Sequence, residues 1–504
     1  MLSALRWSTS RLRGAALRPL STLAWGVGSE GQLGLVHTCE QATPAPIPDL
    51  RGKQVSCVAG GVFHSAALVH VEGQGQIHMW GSNFFGQAGY FPELQSALFS
   101  TDDEEVVWEP RWLDENLKDE SITALSCGDF HNIALAESGK VFTWGAGILG
   151  HGSEVFDSRP HAIKSFMEPE PLRIHSVHAR QGLSFATASK PATPAATTPE
   201  PTDATASETA ASPAPAAAAA AEPGPPTEVF VWGHYDASED GAKRVKSTAP
   251  VRLPTAEHLA TTTHVDGSYH MMAVAGTSRV DGRPVFAVFG SHPARRVQNF
   301  EPETPPYHAE LEKIDVVNAG EAPVPLIGVV DDLMGRMSLP RSLFLVDGAV
   351  VVLRENGTVD VTHVVGDTNP SASSLTPTAQ TLDLPEPIVA MSVSSPLAAL
   401  AIGKSGTVYQ WTAVYPPKPK PKSAWSWLID PKPDPAEVAR AASMVRRTLL
   451  DALVGGFIET RGTFNGAVAI GGGWSHHFVV ADDVHGADAD ESAAAISGPS
   501  SVKK

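Results

Sequence analysis

Cysteine is scarce. The 504 residues hold three, Cys39, Cys57 and Cys127, with no Cys-x-x-Cys pair, which excludes a disulfide framework and a cysteine-built zinc site. Cys57 and Cys127 read as small buried residues at equivalent places in a repeat. No run of 18 apolar residues occurs, so no membrane-spanning helix is expected. No acidic side chain precedes Glu30. Phosphate-binding loops, the Gly-x-Ser-x-Gly elbow and the His-Glu-x-x-His helix are all missing. No catalytic residue, metal ligand or cofactor can therefore be assigned, and an enzyme is not expected. Aromatics make up 7% of the chain against 44 glycines and 41 prolines. That balance suits short strands joined by many turns.

What the chain does have is an internal repeat. Residues 128–152 alternate apolar and polar side chains, turn at Ser138-Gly139, and alternate again up to Trp144-Gly145, which predicts two half-buried strands in a hairpin. The first half, Gly-x-x-His with an aliphatic residue four positions on, recurs as Gly61…His64, Gly128…His131, Gly267…His270 and Gly473…His476. The second half, an aromatic residue followed by glycine, recurs at Trp25-Gly26, Trp80-Gly81, Trp144-Gly145, Trp232-Gly233 and Phe289-Gly290. Eroded copies align on their hairpin glycines. They place Leu183, Ala349 and Ala398 at the histidine position, and Thr362 and Trp411 at the tryptophan position. There are then seven first halves and seven second halves. The chain opens on a second half and closes on a first half, so the last unit is completed by pairing the two termini. A closed ring leaves no exposed sheet edge.

Four histidines at one repeat position invite a metal reading. Equivalent positions in successive blades are spread around a ring, however, and other copies carry Leu or Ala there. The expectation is a hydrogen-bonded tie between strands or blades, with no metal.

The motifs Val58-Ala59-Gly60-Gly61-Val62-Phe63-His64-Ser65, Cys127-Gly128-Asp129-Phe130-His131 and Trp25-Gly26…Gly31-Gln32-Leu33-Gly34 resemble the regulator-of-chromosome-condensation repeat family. That resemblance implies an all-β, seven-bladed β-propeller over residues 21–482. The nuclear founding member of that family exchanges guanine nucleotide on a small GTPase. Mitochondrial members are implicated in assembly of the cytochrome bc1 complex in fungi and of the mitoribosome in animals.

Residues 1–20 carry Arg6, Arg11, Arg13 and Arg18, with Leu2, Leu5, Leu12, Ala16 and Leu20 on one helical arc. An amphipathic, arginine-bearing, acid-free start predicts a mitochondrial transit peptide cut after Leu20. Removing its four arginines takes the net charge from −18 to −22, which argues against general nucleic-acid binding, because phosphate neutralisation dominates that affinity. Inserts are expected at 91–109, 189–227, 315–340 and 416–456, with a disordered tail at 483–504. The last insert is not low-complexity. Its Pro/Lys spacer leads to Trp425 and Trp427, and then to a helix begun by Asp434 and Pro435, with Val438, Val445 and Leu449 on its apolar stripe. Such an arm could grip a partner or touch the inner membrane peripherally; the alternative is that it folds back on the propeller. The expected protein is a monomeric scaffold at the matrix or the matrix face of the inner membrane, whose partners are respiratory complex III subunits or assembly factors. Nucleotide exchange on a GTPase and mitoribosome assembly are the alternatives.

Overall fold

The computed structural model describes residues 20–37, 39–90, 106–152, 157–190, 227–236, 244–268, 271–290, 315–317, 326–331, 340–363, 378–393, 395–414 and 448–482. Within them the strands run in chain order. β1 (Leu20–Gly26) and β2 (Gln41–Pro46) come first. Blade 1 is β3 (Gln54–Gly60), β4 (His64–Val71), β5 (Gln74–Ser82) and β6 (Val106–Trp112). Blade 2 is β7 (Ile122–Cys127), β8 (His131–Ala136), β9 (Val141–Gly145) and β10 (Asp157–Ala162). Blade 3 is β11 (Arg173–Arg180), β12 (Leu183–Ser189), β13 (Glu228–Asp236) and β14 (Arg244–Arg252). Blade 4 is β15 (Leu259–Gly267), β16 (Met271–Ser278) and β17 (Pro284–Gly290). β18 (Asp315–Val317) then joins the edge of blade 3 parallel to β14, and β19 (Leu326–Asp331) completes blade 4. Blade 5 is β20 (Ser342–Val346), β21 (Ala349–Leu353), β22 (Val359–His363) and β23 (Thr378–Thr381). Blade 6 is β24 (Ile388–Ser392), β25 (Ala398–Gly403), β26 (Thr407–Thr412) and, after helix α1 (Leu449–Val454), β27 (Glu459–Thr463). β28 (Ala469–Gly472) and β29 (His476–Asp482) end the series.

These strands form seven sheets, and the seventh is built from both ends of the chain in the order β2-β1-β29-β28. Seven consecutive residues of β1 pair antiparallel with β29, from Leu20 opposite Asp482 to Gly26 opposite His476. The protein is thus an all-β seven-bladed propeller closed by its termini, as the order of half-repeats predicts.

The middle strands depart from the half-buried expectation. β4, β8 and β12 are buried on both faces over nearly their whole length. Each blade packs face to face on two neighbours, so neither surface of a middle strand meets water. The large rings at the repeat's tryptophan position, Trp25, Trp80, Trp144, Trp232 and Trp411, are all fully buried. Trp80 stands edge-on to Phe478 of the terminal blade at 5.7 Å.

Several boundaries shift. Leu20, expected as the last transit residue, already pairs in β1, and its carbonyl accepts from Gly52 N at 2.8 Å. The segments expected as inserts at 91–109 and 315–340 contain β6 from Val106, β18 and β19. These are outer strands, which bear no repeat motif, so nothing in the sequence pattern marks them. The helix predicted from Asp434 to Gly455 is described only over Leu449–Val454: Thr448 has an extended backbone and caps α1 in a reciprocal box with Asp451, and residues 434–447 lie outside the described residues. Cys57 stands opposite Leu68 and Cys127 opposite Asn132, three register positions apart, so they are not equivalent.

Candidate partner-binding face

In every blade the turn between first and second strands and the connection between third and fourth strands leave from the same end of the ring. At this end the first-to-second turns are tied into a belt. Trp474 N donates to Gly61 O at 3.0 Å, Val62 N to Asp129 O at 3.0 Å, and Asp129 N to Gln181 O at 2.8 Å, which links the terminal blade to blades 1, 2 and 3 in turn. The half-buried Trp474 also donates its indole N–H to Asp129 Oδ1 at 2.8 Å, reaching past blade 1 to blade 2.

Beneath the belt lie the repeat histidines. His476 Nε2 meets Ser65 Oγ at 2.9 Å, His64 Nε2 meets Asn132 Oδ1 at 2.9 Å, and His131 Nε2 meets Ser184 Oγ at 2.8 Å. Each partner is the residue just after the histidine position of the next blade. Ser65 spends its hydroxyl proton on Gln32 O, and Asn132 its amide proton on Gln87 O, both at 2.8 Å. The histidine must therefore donate in both ties, which fixes the Nε2–H tautomer. Gln32 and Gln87 fold back to accept from Glu30 N and Phe85 N at 2.8 and 2.7 Å, so the Gly-Gln-x-Gly turns are locked by the same network. The histidines are inter-blade ties.

Burial pushes the His64 and His131 pKa values down to about 4 and that of His476 to about 3, below the usual value near 6.5. All three are neutral in the folded protein at pH 7. The unfolded chain binds the extra protons as pH falls below 6.5, so stability is lost on acidification and the loss continues towards pH 4. At the limit His64 and His131 each contribute roughly 3 kcal/mol to that loss and His476 roughly 5 kcal/mol. Urea midpoints measured between pH 7.5 and 5 should fall steadily, before most carboxylates titrate. A midpoint that is flat over this range would contradict neutral buried ties.

Farther round the ring the junctions change chemistry. Asp266 of β15 accepts from Arg180 Nη1, from His178 Nε2 at 2.9 Å and from Leu345 N at 2.7 Å, joining blades 3, 4 and 5. Burial works to raise its pKa, but Arg180 and His178 outweigh it and hold Asp266 below the usual carboxylate range. Asp347, in the turn of blade 5, accepts from Leu450 N at 3.1 Å and so anchors the start of α1. No group of three or more His, Cys, Asp or Glu among the described residues is disposed to hold a metal ion.

The repeat positions Gly61, His64, Trp80, Gly81, Gly128, His131, Trp144, Gly145, Gly473 and His476 fall where the sequence places them. The copy at Gly267 is slipped by one. Met271 stands opposite Gly290, as His64 stands opposite Gly81, and Ser268 N donates to Met271 O at 2.7 Å, as Gly61 N donates to His64 O. Gly267 is therefore the counterpart of Gly60, and Met271 takes the histidine position. His270 itself, with Trp425, Trp427, Val438 and Val445, lies outside the described residues. Leu449 leaves the partner-arm set, because it is fully buried in the protein's own core with Leu453 against Trp411 and Tyr409. Sequence reasoning missed the second half of each tie. The signal was there in Ser65, Asn132 and Ser184, polar residues at otherwise apolar middle-strand positions.

Two stretches of the chain, residues 21–68 and 122–150, match the regulator of chromosome condensation (RCC1) repeat. The human probable E3 ubiquitin-protein ligase HERC4 is 35% identical over 147 residues, which is 28% of this chain and only 12% of the ligase. Among solved structures, Prp20p of Saccharomyces cerevisiae, described with its binding to Gsp1p and histones, aligns with a TM-score of 0.55 over 93% of both chains at 12% identity. Human WBSCR16 aligns with a TM-score of 0.53 over 93% of this chain and 100% of its own, at 14% identity. These two alignments establish a shared fold.

Proposed function

We propose that this seven-bladed propeller, built on regulator-of-chromosome-condensation repeats, is a mitochondrial protein-binding scaffold that serves assembly of respiratory complex III. The observation that carries the scaffold reading is the asymmetry of the ring. The connections from third to fourth strand leave one face, and those spanning 83–105, 146–156, 237–243, 291–325, 364–377 and 413–458 are far longer than a tight turn. The opposite face is made mostly of tight hairpins, the long segment 190–227 excepted. A rigid ring with one elaborated loop face is suited to holding partners, since binding residues concentrate on loops positioned by a scaffold. RCC1-type propellers such as Prp20p bind other proteins, which supports the same reading.

The mitochondrial placement rests on the arginine-bearing, acid-free residues 1–19. The complex III assignment rests on the resemblance to mitochondrial members of the repeat family. Affinity purification of the tagged protein from isolated mitochondria, read by mass spectrometry, tests both. Complex III subunits or their chaperones are the expected partners. Recovery of ribosomal proteins instead, or of a GTPase whose nucleotide release the protein accelerates, would overturn the assignment in favour of mitoribosome assembly or exchange. Absence of the protein from mitochondria would remove its premise.

A further inference from the structure

On the loop face, aromatic rings gather in one sector. Phe84, 60% exposed, stands edge-on to Phe85 at 4.8 Å, and Phe85 stands edge-on to Phe130 at 5.3 Å. Phe130 is next to Asp129, which holds the half-buried Trp474. Phe63, in the matching turn of blade 1, is also partly exposed. The residue at this turn position is Gly182 in blade 3, Gly348 in blade 5, Leu397 in blade 6 and Ser475 in the terminal blade, so among the described residues the rings at this position belong to blades 1 and 2. At the place Phe84 occupies, the terminal blade has Ser29 and blade 2 has Ile148, which is buried. Of these three blades, only blade 1 leaves a large apolar side chain in water there.

Phe84 is held still. Gly86 N donates to Asn83 O at 2.8 Å, Phe85 N to Gln87 Oε1 at 2.7 Å, and Asn83 Nδ2 to Tyr90 O at 2.7 Å. Gly86, at φ +66, leaves no room for a side chain, since a Cβ there would lie 2.6 Å from Ser158. An exposed ring on a loop this fixed loses little conformational freedom when it is covered.

The charge around it has one sign. The loops of this face in the terminal blade and in blades 1 and 2, at 27–40, 61–63, 83–90, 128–130, 146–152 and 473–475, contain no Lys or Arg but carry Glu30, Glu40 and Asp129. The opposite face of these blades mixes signs: its connections set Arg51, Lys53, Lys118 and Lys164 among acids such as Asp49, Glu72, Asp114 and Glu115.

We infer that the Phe84–Phe85–Phe130 surface docks a basic amphipathic polypeptide segment, one whose apolar face covers Phe84 while its Lys or Arg side chains face the cation-free loops that carry Glu30 and Glu40. A central aromatic anchor with complementary charge around it is the arrangement that dominates protein interfaces. An anionic membrane surface does not fit, since these loops would repel it. The inference rests on the scaffold reading and names the chemistry of its partner.

The test is fluorescence anisotropy with the full chain and a labelled synthetic peptide of Leu and Lys in helical spacing. A second peptide has every Lys replaced by Glu. The Lys peptide should bind at low ionic strength, and Phe84→Ala should weaken it by about tenfold or more. Val280→Ala, on an exposed hairpin of the opposite face, should bind as the wild type does, and the Glu peptide should not bind. Unchanged melting of Phe84→Ala would confirm that its fold is intact. Equal binding by Phe84→Ala and wild type would overturn the inference, because net charge alone would then hold the peptide; so would binding of the Glu peptide, or no binding of the Lys peptide. If the peptide binds through Phe84 but mitochondria yield no complex III partner, the docking surface stands and the assembly role falls. If complex III proteins are recovered equally with Phe84→Ala, the reverse holds.

Discussion

Ending the chain at Val468 is expected to abolish cooperative unfolding. The truncation removes β28 and β29, leaving β1 and β2 without the seven-residue pairing that closes the ring. It also strips Phe478 and Val480 from the core they share with Trp80. Blades 1 and 6 would each lose a packed neighbour, and two open edges would be free to pair with other chains. That loss exceeds the total stability of about 5–15 kcal/mol typical of a folded domain. The truncated chain should bind a hydrophobic dye and aggregate, with no sharp urea transition. Ending instead at Asp482, which keeps β29 whole, should leave the transition within about 1 kcal/mol of the full chain, as is usual for changes away from packed features. A sharp native-like transition in the shorter chain would show that the termini do not close the fold.

Replacing His64 by Ala should cost about 3–5 kcal/mol, read as a shift in the urea midpoint at unchanged slope. Two effects add. The lost ring leaves a cavity at a fully buried site. Asn132 Oδ1 then has no donor from blade 1, and an unsatisfied buried acceptor carries its whole desolvation cost. His64→Leu should fill most of the space yet remain destabilised by the orphaned amide. Adding Asn132→Ser should recover part of that, because a serine can donate to Gln87 O as Ser65 already does to Gln32 O. A similar exchange stands two blades further on, where Leu183 and Met272 share an apolar cluster. An Ala variant as stable as wild type would mean that the ties are incidental.

How much of this was legible in the sequence follows from where the physics leaves a residue signature. Trp80-Gly81 is conspicuous because a buried ring is followed by a backbone at φ +99, with Phe63 O only 2.5 Å from where a Cβ would sit; no other residue is comfortable there. Aligning eroded copies on their hairpin glycines worked for the same reason. Leu183, Ala349 and Ala398 stand opposite Gly233, His363 and Thr412, in the register the glycines predict. At Gly267 the motif itself misled. A glycine and a histidine three apart mimic the repeat, but strand pairing puts Met271 in the slot. Outer strands such as β6 and β27 were hidden because they are partly exposed edges under little packing constraint. The docking surface was invisible as a motif. Phe84, Phe130 and Trp474 lie on separate turns, and only ring closure brings the terminal blade beside blades 1 and 2.

The central claim is that this ring holds protein partners by its loop face. Carboxylate-reactive cross-linking mass spectrometry on the complex purified from mitochondria tests it most directly, because the loops of this face in the terminal blade and in blades 1 and 2 carry acids and no lysine. Links to partner proteins are expected from the third-to-fourth-strand connections, concentrated in the terminal blade and in blades 1 and 2, and hairpins such as Ser278–Pro284 on the opposite face should stay free of them. Links confined to the opposite face would contradict the account.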